Sequence, residues 1–457
     1  MGRRTATPQM PGDPRNPEPG TWNVGHRAGV RQLPEFRELH PVTRRALQAA
    51  RRAAAPSPIY AVGGFIRDLL LGLRAVDIDL VVEGNAIAVA RSVGQSLKAS
   101  VTTHPRFGTA RLRLSEGITL DVATARSEHY PSSAALPEVR LAPLLTDLVR
   151  RDFTMNAMAA RVDHYRFGPL IDPLGGCEDL QRGRIRVLHG RSFIDDPTRI
   201  FRAARFEARF RYVIARDTLR LIKEAVKGGV IRNLAGSRIF TELLLIGHES
   251  SPPRVIRRLS DLGVLVAVHP TLAELQAAFG LLERVQRVLA LPRSLPLLQV
   301  PSPGEAYLLG MLYPLRPRSV GAVLGRLNPP QGIAETLVAD LDACRKTARQ
   351  LTRTEDPRQS RIARLLDPLS PAARVLVFAT LDRGLKRKAA LEYLTTSWRV
   401  VPLLKGGDLR RLGFRPGPVY RRIFAALRSA KLDGTLRTKQ DEVSFVKRGF
   451  ARTGLQD

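Results

Sequence analysis

The alternation of apolar and polar positions between residues 59 and 82 predicts a strand, a helix and a second strand. Residues 59–62 form a short apolar run, and residues 65–71 repeat apolar side chains at helical spacing. Residues 77–82 alternate in the way of a strand that is buried on one face. Because residues two apart in a strand share a face, Asp77 and Asp79 point the same way. The pattern therefore places two carboxylates together on one strand.

The same pattern extends the prediction over the rest of the chain. Short strands alternate with helices up to about residue 165, and amphipathic helices broken by Pro and Gly follow beyond residue 250, one of them over residues 372–390. Residues 125–146 are polar and contain proline, which predicts a mobile loop. The predicted fold class is α+β, with a small mixed α/β head followed by an all-α remainder.

Charge adds a prediction about partners. The chain of 457 residues carries 73 Lys and Arg against 42 Asp and Glu, a net charge of +31. This excess favours a polyanionic partner, nucleic acid before membrane, although a GC-rich genome also favours arginine. Residues 1–32 predict a disordered basic tail. Cys177 and Cys344 form no CxxC pair, which fits a reducing cytoplasm, and no apolar run approaches the roughly 20 residues of a membrane span.

The strand–helix–strand segment carries the first candidate chemistry. Gly63 and Gly64 would let the backbone approach a triphosphate, with the helix N-terminus aimed at the anion. Asp77 and Asp79 supply the oxygen ligands that Mg²⁺ prefers. Asp121, an acidic residue within an apolar strand at 118–123, is a candidate third carboxylate. The alternatives are two solvated aspartates on an edge strand and, for Asp121, a structural pairing with an arginine.

Two arginine-bearing segments follow. Residues 148–159 read LVRRDFTMNAMA, and residues 193–206 read FIDDPTRIFRAARF. In the second, arginines recur on one helical face and apolar residues on another. Asp196 can accept and Arg199 can donate hydrogen bonds, and together they could satisfy the Watson–Crick edge of a base. The alternative is a helix cap followed by a solvated basic face.

The combination of these motifs resembles the polymerase-β-like nucleotidyltransferases, and within them the class II tRNA nucleotidyltransferase/poly(A) polymerase family. The carrying motifs are Gly-Gly-Phe-Ile-Arg-Asp, Asp-Ile-Asp, Arg-Arg-Asp-Phe-Thr and Asp-Asp-x-x-Arg, the last with Asp195 where the family has Glu. The resemblance implies a nucleotidyltransferase head at 33–165, a nucleotide-selecting neck at 166–250, a helical body at 251–370 and an RNA-binding helical tail at 371–457.

The resemblance also implies a reaction: addition of CMP or AMP, from CTP or ATP, to the 3′ end of tRNA, with pyrophosphate released. The tRNA would be held at its acceptor end and elbow. Poly(A) polymerase activity and a catalytically inactive RNA-binding protein stay open as alternatives, as do the oligomeric state and whether CCA, CC or A is added. The implied roles are two Mg²⁺ ions on Asp77 and Asp79, catalysis with Asp121, and nucleotide binding by Gly63, Gly64, Arg67, Asp68, Arg151, Asp196, Arg199, Arg202 and Arg205.

Overall fold

The structure is a computed structural model that describes residues 32–135, 137–291, 302–355, 357–382 and 384–450. The predicted N-terminal tail therefore lies outside the described residues except for its last position. The chain divides into two compact units, with the boundary between Leu234 and Ala235. In the described ranges, every helix is too short or too polar to cross a membrane.

The first unit is a mixed α/β domain. Its strands are β1 (Ile59–Val62), β2 (Asp77–Val82), β3 (Ser100–His104), β4 (Thr109–Arg113), β5 (Thr119–Thr124), β6 (Arg126–His129), β7 (Glu138–Leu141), β8 (Ala159–Val162), β9 (Phe167–Ile171), β10 (Arg184–Ile185) and β11 (Val213–Ile214). Its helices are α1 (Pro41–Ala54), α2 (Gly63–Leu70), α3 (Ala86–Leu97), α4 (Leu144–Val149), α5 (Gly176–Gln181), α6 (Ser192–Asp195), α7 (Thr198–Phe210), α8 (Arg216–Lys227) and α9 (Val230–Asn233).

The central sheet has seven strands in the order β3-β4-β5-β2-β1-β8-β9. Strands β2 and β5 are parallel, and every other neighbouring pair is antiparallel. Helix α3 packs on β3, β4 and β5, and α1 packs on α3. Ile78 and Leu80 are fully buried, as the alternation along β2 predicts, whereas Asp77 on the opposite face is exposed.

The prediction of a mobile loop over 125–146 is wrong at both ends of that segment. Strands β6 and β7 form an antiparallel hairpin in which Arg126 lies opposite Leu141. The Arg126 guanidinium donates to the Phe107 carbonyl at 2.5 Å and to Glu128 Oε1 at 3.0 Å. The pairing with Leu141 and the contact with Phe107 join positions that are distant in sequence, so the polar composition of the segment gave no signal for them.

Every regular element in the described residues of the second unit is a helix, which together with the mixed sheet of the first unit confirms the predicted α+β class. Its helices are α10 (Gly236–Ile246), α11 (Pro252–Asp261), α12 (Val264–Val268), α13 (Phe279–Leu289), α14 (Pro303–Leu312), α15 (Pro317–Leu327), α16 (Ile333–Arg353), α17 (Gln359–Leu366), α18 (Pro371–Thr380), α19 (Leu385–Thr395), α20 (Gly406–Arg411), α21 (Pro418–Leu432) and α22 (Lys439–Phe450).

Helix α18 lies at the centre of this unit, against α13, α14 and α16. The single helix predicted over 372–390 is wrong: α18 and α19 are separate helices. Gly384 precedes α19 with φ at +145°, a conformation that interrupts a helix and that side-chain-bearing residues rarely adopt. The unit boundary falls before α10, and the finer division into neck, body and tail stays a prediction.

Candidate active site

The register of β2 and β5 gathers the three predicted carboxylates on one face of the sheet. Asp79 lies directly opposite Asp121, and Asp77 lies opposite Thr119. The Thr119 hydroxyl donates to Asp77 Oδ1 at 2.7 Å. Because facing residues of neighbouring strands project on the same side, the sequence-predicted acidic group is assembled by pairing two strands that are far apart along the chain.

Asp121 forms an ion pair with Arg111 of β4. The guanidinium donates from Nε to Oδ1 at 2.7 Å and from Nη2 to Oδ2 at 2.6 Å, a bidentate arrangement. The Arg111 side chain is 58% exposed. Asp121 is thus paired with an arginine, as the structural alternative for this residue states. The catalytic role of Asp121 stays a prediction. Sequence reasoning missed Arg111, which only the antiparallel register with β5 brings to this carboxylate.

Asp79 is a carboxylate whose surroundings raise its pKa. Burial raises its pKa to about 6, the neighbouring Asp121 and Asp77 act in the same direction, and Arg151 and Arg67 oppose them. No donor within the described ranges forms a hydrogen bond to its carboxylate. A half-buried carboxylate without a donor, beside two other carboxylates, is a group that a bound cation would stabilise.

A ready-made metal cluster is not present, since no set of three or more His, Cys, Asp or Glu side chains in the described ranges is arranged to hold an ion. Asp77 and Asp79 carry oxygen ligands of the kind that Mg²⁺ prefers, and their role as metal ligands stays a prediction.

The two predicted glycines begin α2 and lie against charged side chains. Gly63 has φ at +66°, and a β-carbon there would lie 2.6 Å from Nη1 of Arg151. A β-carbon at Gly64 would lie 3.5 Å from Nη2 of Arg67 and 3.6 Å from Oδ2 of Asp79. The glycines thus let two guanidinium groups and a carboxylate approach the same short stretch of backbone.

Arg67 is buried and held in a fixed position. Its Nη1 donates to Asn156 Oδ1 at 2.7 Å, and its Nε donates to Asp68 Oδ1 at 2.9 Å. The guanidinium also stacks over the Phe210 ring, 4.8 Å from the ring centroid. The predicted site residues Arg67 and Asp68 are therefore bonded to each other. Sequence reasoning did not identify Asn156 or Phe210 as their neighbours.

Asp147 is a second residue near the candidate site that sequence reasoning missed. It is fully buried within α4 and accepts hydrogen bonds from Arg151 at 2.9 Å and from Arg150 at 2.5 Å. Burial alone would raise the pKa of Asp147, but the two guanidinium groups outweigh burial and lower it. Asp147 thereby orients Arg151 toward Gly63. The available signal was an acidic residue within the apolar stretch that precedes the two arginines.

Asp196 and Arg199 lie at the start of α7. Asp196 Oδ1 accepts from the Thr198 backbone N–H at 3.1 Å and from its hydroxyl at 2.7 Å, as the capping alternative predicts. Arg199 is buried, not solvated, and donates to Ser192 Oγ and to the Arg150 carbonyl, each at 2.7 Å. The pKa of the Tyr130 hydroxyl is raised mainly by burial and by Glu128. Arg199 lowers this pKa, and Asp196 raises it further.

The remaining two arginines follow on α7. Arg202 donates from Nε to Asp152 Oδ2 at 2.7 Å and also stacks over Phe206. Asp152 accepts further hydrogen bonds from Asn156 Nδ2 at 3.0 Å and from the Phe153 backbone N–H at 2.8 Å. Arg205, one turn further along, is half-buried. Arg202 thus anchors α7 to the segment that carries Arg151.

The Asp152–Arg202 pair predicts a pH-dependent contribution to stability. Burial would raise the pKa of Asp152, but Arg202 and the hydrogen bond from Asn156 lower it to about 2. A depressed pKa stabilises the fold above the unfolded-state value near 3.8, and this contribution is lost as pH falls toward 2. We expect Asp152→Asn to lower the free energy of unfolding by about 2–3 kcal/mol at pH 7, and by about half as much at pH 3.

Urea unfolding of both proteins at several pH values measures this difference. Asp163→Asn is the matched control, because Asp163 forms only a surface pair with Arg161, at 3.6 Å. A difference between Asp152→Asn and wild type that does not change between pH 7 and pH 3 would contradict the assignment of the low pKa to Asp152.

Comparisons with known proteins agree with this geometry. Residues 59–186 match the Poly A polymerase head domain family, and residues 211–276 match the family described as a probable RNA and SrmB-binding site of polymerase A. The chain is 38% identical over 396 residues to the A-adding tRNA nucleotidyltransferase of Geobacter sulfurreducens, covering 86% of this chain and 45% of that relative. The chain thus matches less than half of that relative's length.

Two further matches extend over most of both proteins. The A-adding tRNA nucleotidyltransferase of Halalkalibacterium halodurans is 33% identical over 406 residues, covering 86% of this chain and 88% of the relative. A solved apo form of a CCA-adding enzyme is similar with a TM-score of 0.70 and 33% identity, over 91% of this chain and 97% of that structure. The chain belongs to the class II tRNA nucleotidyltransferase family, which confirms the resemblance seen in the sequence motifs.

Proposed function

We propose that this protein is a template-independent nucleotidyltransferase that adds AMP to the 3′ end of tRNA, with ATP as the substrate. The observation that carries the proposal is the set of charged side chains against Gly63 and Gly64. A β-carbon at Gly63 would lie 2.6 Å from Nη1 of Arg151, and one at Gly64 would lie 3.5 Å from Nη2 of Arg67 and 3.6 Å from Oδ2 of Asp79. A triphosphate that lies along this glycine pair would have guanidinium groups for its phosphates and carboxylates beside it for metal ions.

The proposed site includes Mg²⁺ held by Asp77 and Asp79. The ions would lower the pKa of the attacking 3′-hydroxyl and stabilise the negative charge on the leaving pyrophosphate. The protein's own contribution is to bind and orient. Arg67 and Arg151, fixed by Asn156 and Asp147, would contact the triphosphate, and Asp68 would bond the sugar.

The nucleotide base would be selected on α7. We assign this role to Asp196 and Arg199, and we assign support of the phosphates to Arg205. Arg202 is bonded to Asp152, so its contribution would be to hold α7 in position beside the site. The resemblance further suggests that the helices of the neck, body and tail hold the tRNA from its acceptor end to its elbow. We also place the protein in the cytoplasm, which its two buried, free cysteines fit.

The choice of AMP over CMP rests on the relatives from Geobacter sulfurreducens and Halalkalibacterium halodurans, both of which are A-adding enzymes. We expect a tRNA ending in CC to gain one AMP when ATP is supplied alone. Transcripts that end one or two nucleotides earlier should gain little from CTP. Denaturing gels of labelled tRNA resolve each single addition. Efficient addition of two CMP residues would replace the A-adding assignment with CC or CCA addition.

A poly(A) polymerase is the second candidate, since the matched head-domain family carries that description. The same gels distinguish the two activities: a tRNA nucleotidyltransferase stops after completing the 3′ end, and a poly(A) polymerase extends the RNA into a ladder. If no RNA is extended under any of these conditions, the inactive RNA-binding alternative gains support.

A further inference from the structure

The face of the sheet that carries the carboxylates continues beyond them across β4 and β3. The strand registers align two rows of side chains, each starting at one aspartate of β2 and ending on the edge strand. Residues in such rows project on the same side of the sheet. The two rows are Asp77–Thr119–Arg113–Ser100 and Asp79–Asp121–Arg111–Thr102.

This outer part of the face, which we call the β3–β4 face, is open to solvent. Arg111 and Arg113 are exposed, as are the outward residues of β3, whereas the intervening Ala110 and Leu112 are buried on the side of α3. Further along the same face of the sheet, α4 covers the surface, with Leu148 in the same apolar cluster as Val81. The open surface therefore begins beside the carboxylates and ends at the edge of the sheet.

The charge of the β3–β4 face is positive. Its strands read SVTTH and TARLR, so neither contributes a carboxylate. Arg113 has no acidic partner within the described ranges, and Arg111 keeps more than half of its side chain exposed while it pairs with Asp121. Hydroxyl groups at Ser100 and Thr102 accompany the two arginines. Exposed guanidinium and hydroxyl groups of this kind are the usual donors to nucleic-acid phosphates.

The order of strands separates this face from the nucleotide side of the site. The sheet runs β4-β5-β2-β1, so the carboxylates on β5 and β2 lie between Arg113 on β4 and the glycines that follow β1. Two strand spacings, about 10 Å, separate the backbone of β4 from that of β2. A long arginine side chain at this distance can contact the phosphates just upstream of an RNA 3′ end that reaches the carboxylates.

We propose that the β3–β4 face binds the backbone phosphates of the unpaired 3′ strand of the RNA, with Arg113 as a direct phosphate contact. This inference rests on the proposed function, because it takes the RNA 3′ end as the group that approaches Asp77 and Asp79. The incoming nucleotide and the RNA then enter from opposite sides of the carboxylate group, and neither has to pass the other.

The test uses the full chain and a tRNA that ends in CC. We expect Arg113→Gln to raise the KM for this tRNA about fivefold with little change in the KM for ATP, and to reduce the slope of log KM against log salt by about 0.7. Ser100→Lys adds a charge opposite Arg113 and should lower the KM for tRNA, an effect that misfolding cannot imitate. Arg91→Gln is the matched control, since Arg91 is exposed on α3, which packs on the other face of the sheet.

The outcomes separate this inference from the proposed function. An unchanged KM and salt slope in Arg113→Gln, with Ser100→Lys also neutral, would overturn the inference while transfer by the wild type stands. If the wild type extends no RNA, equilibrium binding of labelled tRNA replaces KM as the measurement. The same change in salt slope would then support the phosphate contact, and equal slopes for Arg113→Gln and Arg91→Gln would overturn it.

Discussion

Asp79→Asn should abolish nucleotidyl transfer and at the same time make the metal-free protein more stable. The catalytic loss follows from the proposed role of Asp79, because a neutral amide is a much weaker Mg²⁺ ligand than a carboxylate. A loss of several kcal/mol of transition-state stabilisation corresponds to a fall in kcat of about 1,000-fold or more. Single-turnover rates with ATP and a tRNA ending in CC measure it.

The gain in stability follows from the environment of the carboxylate. Its pKa is raised from 3.8 to about 6, chiefly by burial, so the folded state holds the charged form at a cost. The stability lost by wild type as pH rises from about 4 to 6 should be absent in Asp79→Asn. With a chelator present, we expect a higher midpoint of urea unfolding for the variant at pH 7 and equal midpoints near pH 4.

Asp163→Asn again serves as the control, since it removes a carboxylate of the same unit in a surface pair. A catalytic site that is strained by its own charges gains stability when a charge is removed, whereas a structural carboxylate loses stability. Activity within about tenfold of wild type, or a clear loss of stability at pH 7, would contradict the assignment of Asp79 as a metal ligand.

The residues that the sequence located correctly are those whose signal is local. Alternation along 77–82 was enough to put Asp77 and Asp79 on one face and to bury Ile78 and Leu80, because a strand with one buried face has a period of two. The apolar stripe of α7 was equally local, and Ile200, Phe201 and Ala204 are buried as predicted. For these elements, no knowledge of the partner strand or helix was needed.

The contacts that orient the site could not be found in this way. Arg111 faces Asp121 only because β4 pairs with β5 in one particular register, and strand pairing is not encoded in the period of either strand. Asp147 lies close to Arg151 along the chain, but its burial depends on the packing of α4. The arginine stripe of α7 illustrates the same limit: its spacing left a solvated basic face open as the alternative, whereas Arg199 is buried against Ser192 and the Arg150 carbonyl.

The burial of Arg199 leads to the second large effect, which concerns base selection. Its two hydrogen bonds, each 2.7 Å long, fix the guanidinium plane. Under the proposed function, this fixed donor and the Asp196 carboxylate together bond ATP or CTP, which present an amino donor next to a ring-nitrogen acceptor. UTP and GTP present a carbonyl oxygen where Asp196 requires a donor. A buried mismatch costs about 1–3 kcal/mol, which corresponds to roughly tenfold to hundredfold selectivity.

We therefore expect Arg199→Lys, which keeps the charge but loses the planar fork, to lower kcat/KM for ATP and to reduce discrimination against UTP and GTP by about tenfold or more. Ser192→Ala removes only one of the two hydrogen bonds that hold the guanidinium, and it should reduce selectivity by a smaller factor in the same direction.

Arg191→Lys is the matched control, because Arg191 is exposed and its ion pair with Asp195 is long, at 3.4 Å. Rates with all four nucleotides, on proteins whose folding is verified by circular dichroism, decide the matter. If Arg199→Lys and Ser192→Ala both discriminate as well as wild type, Asp196 and Arg199 act only in capping and anchoring α7, and base selection resides elsewhere in the chain.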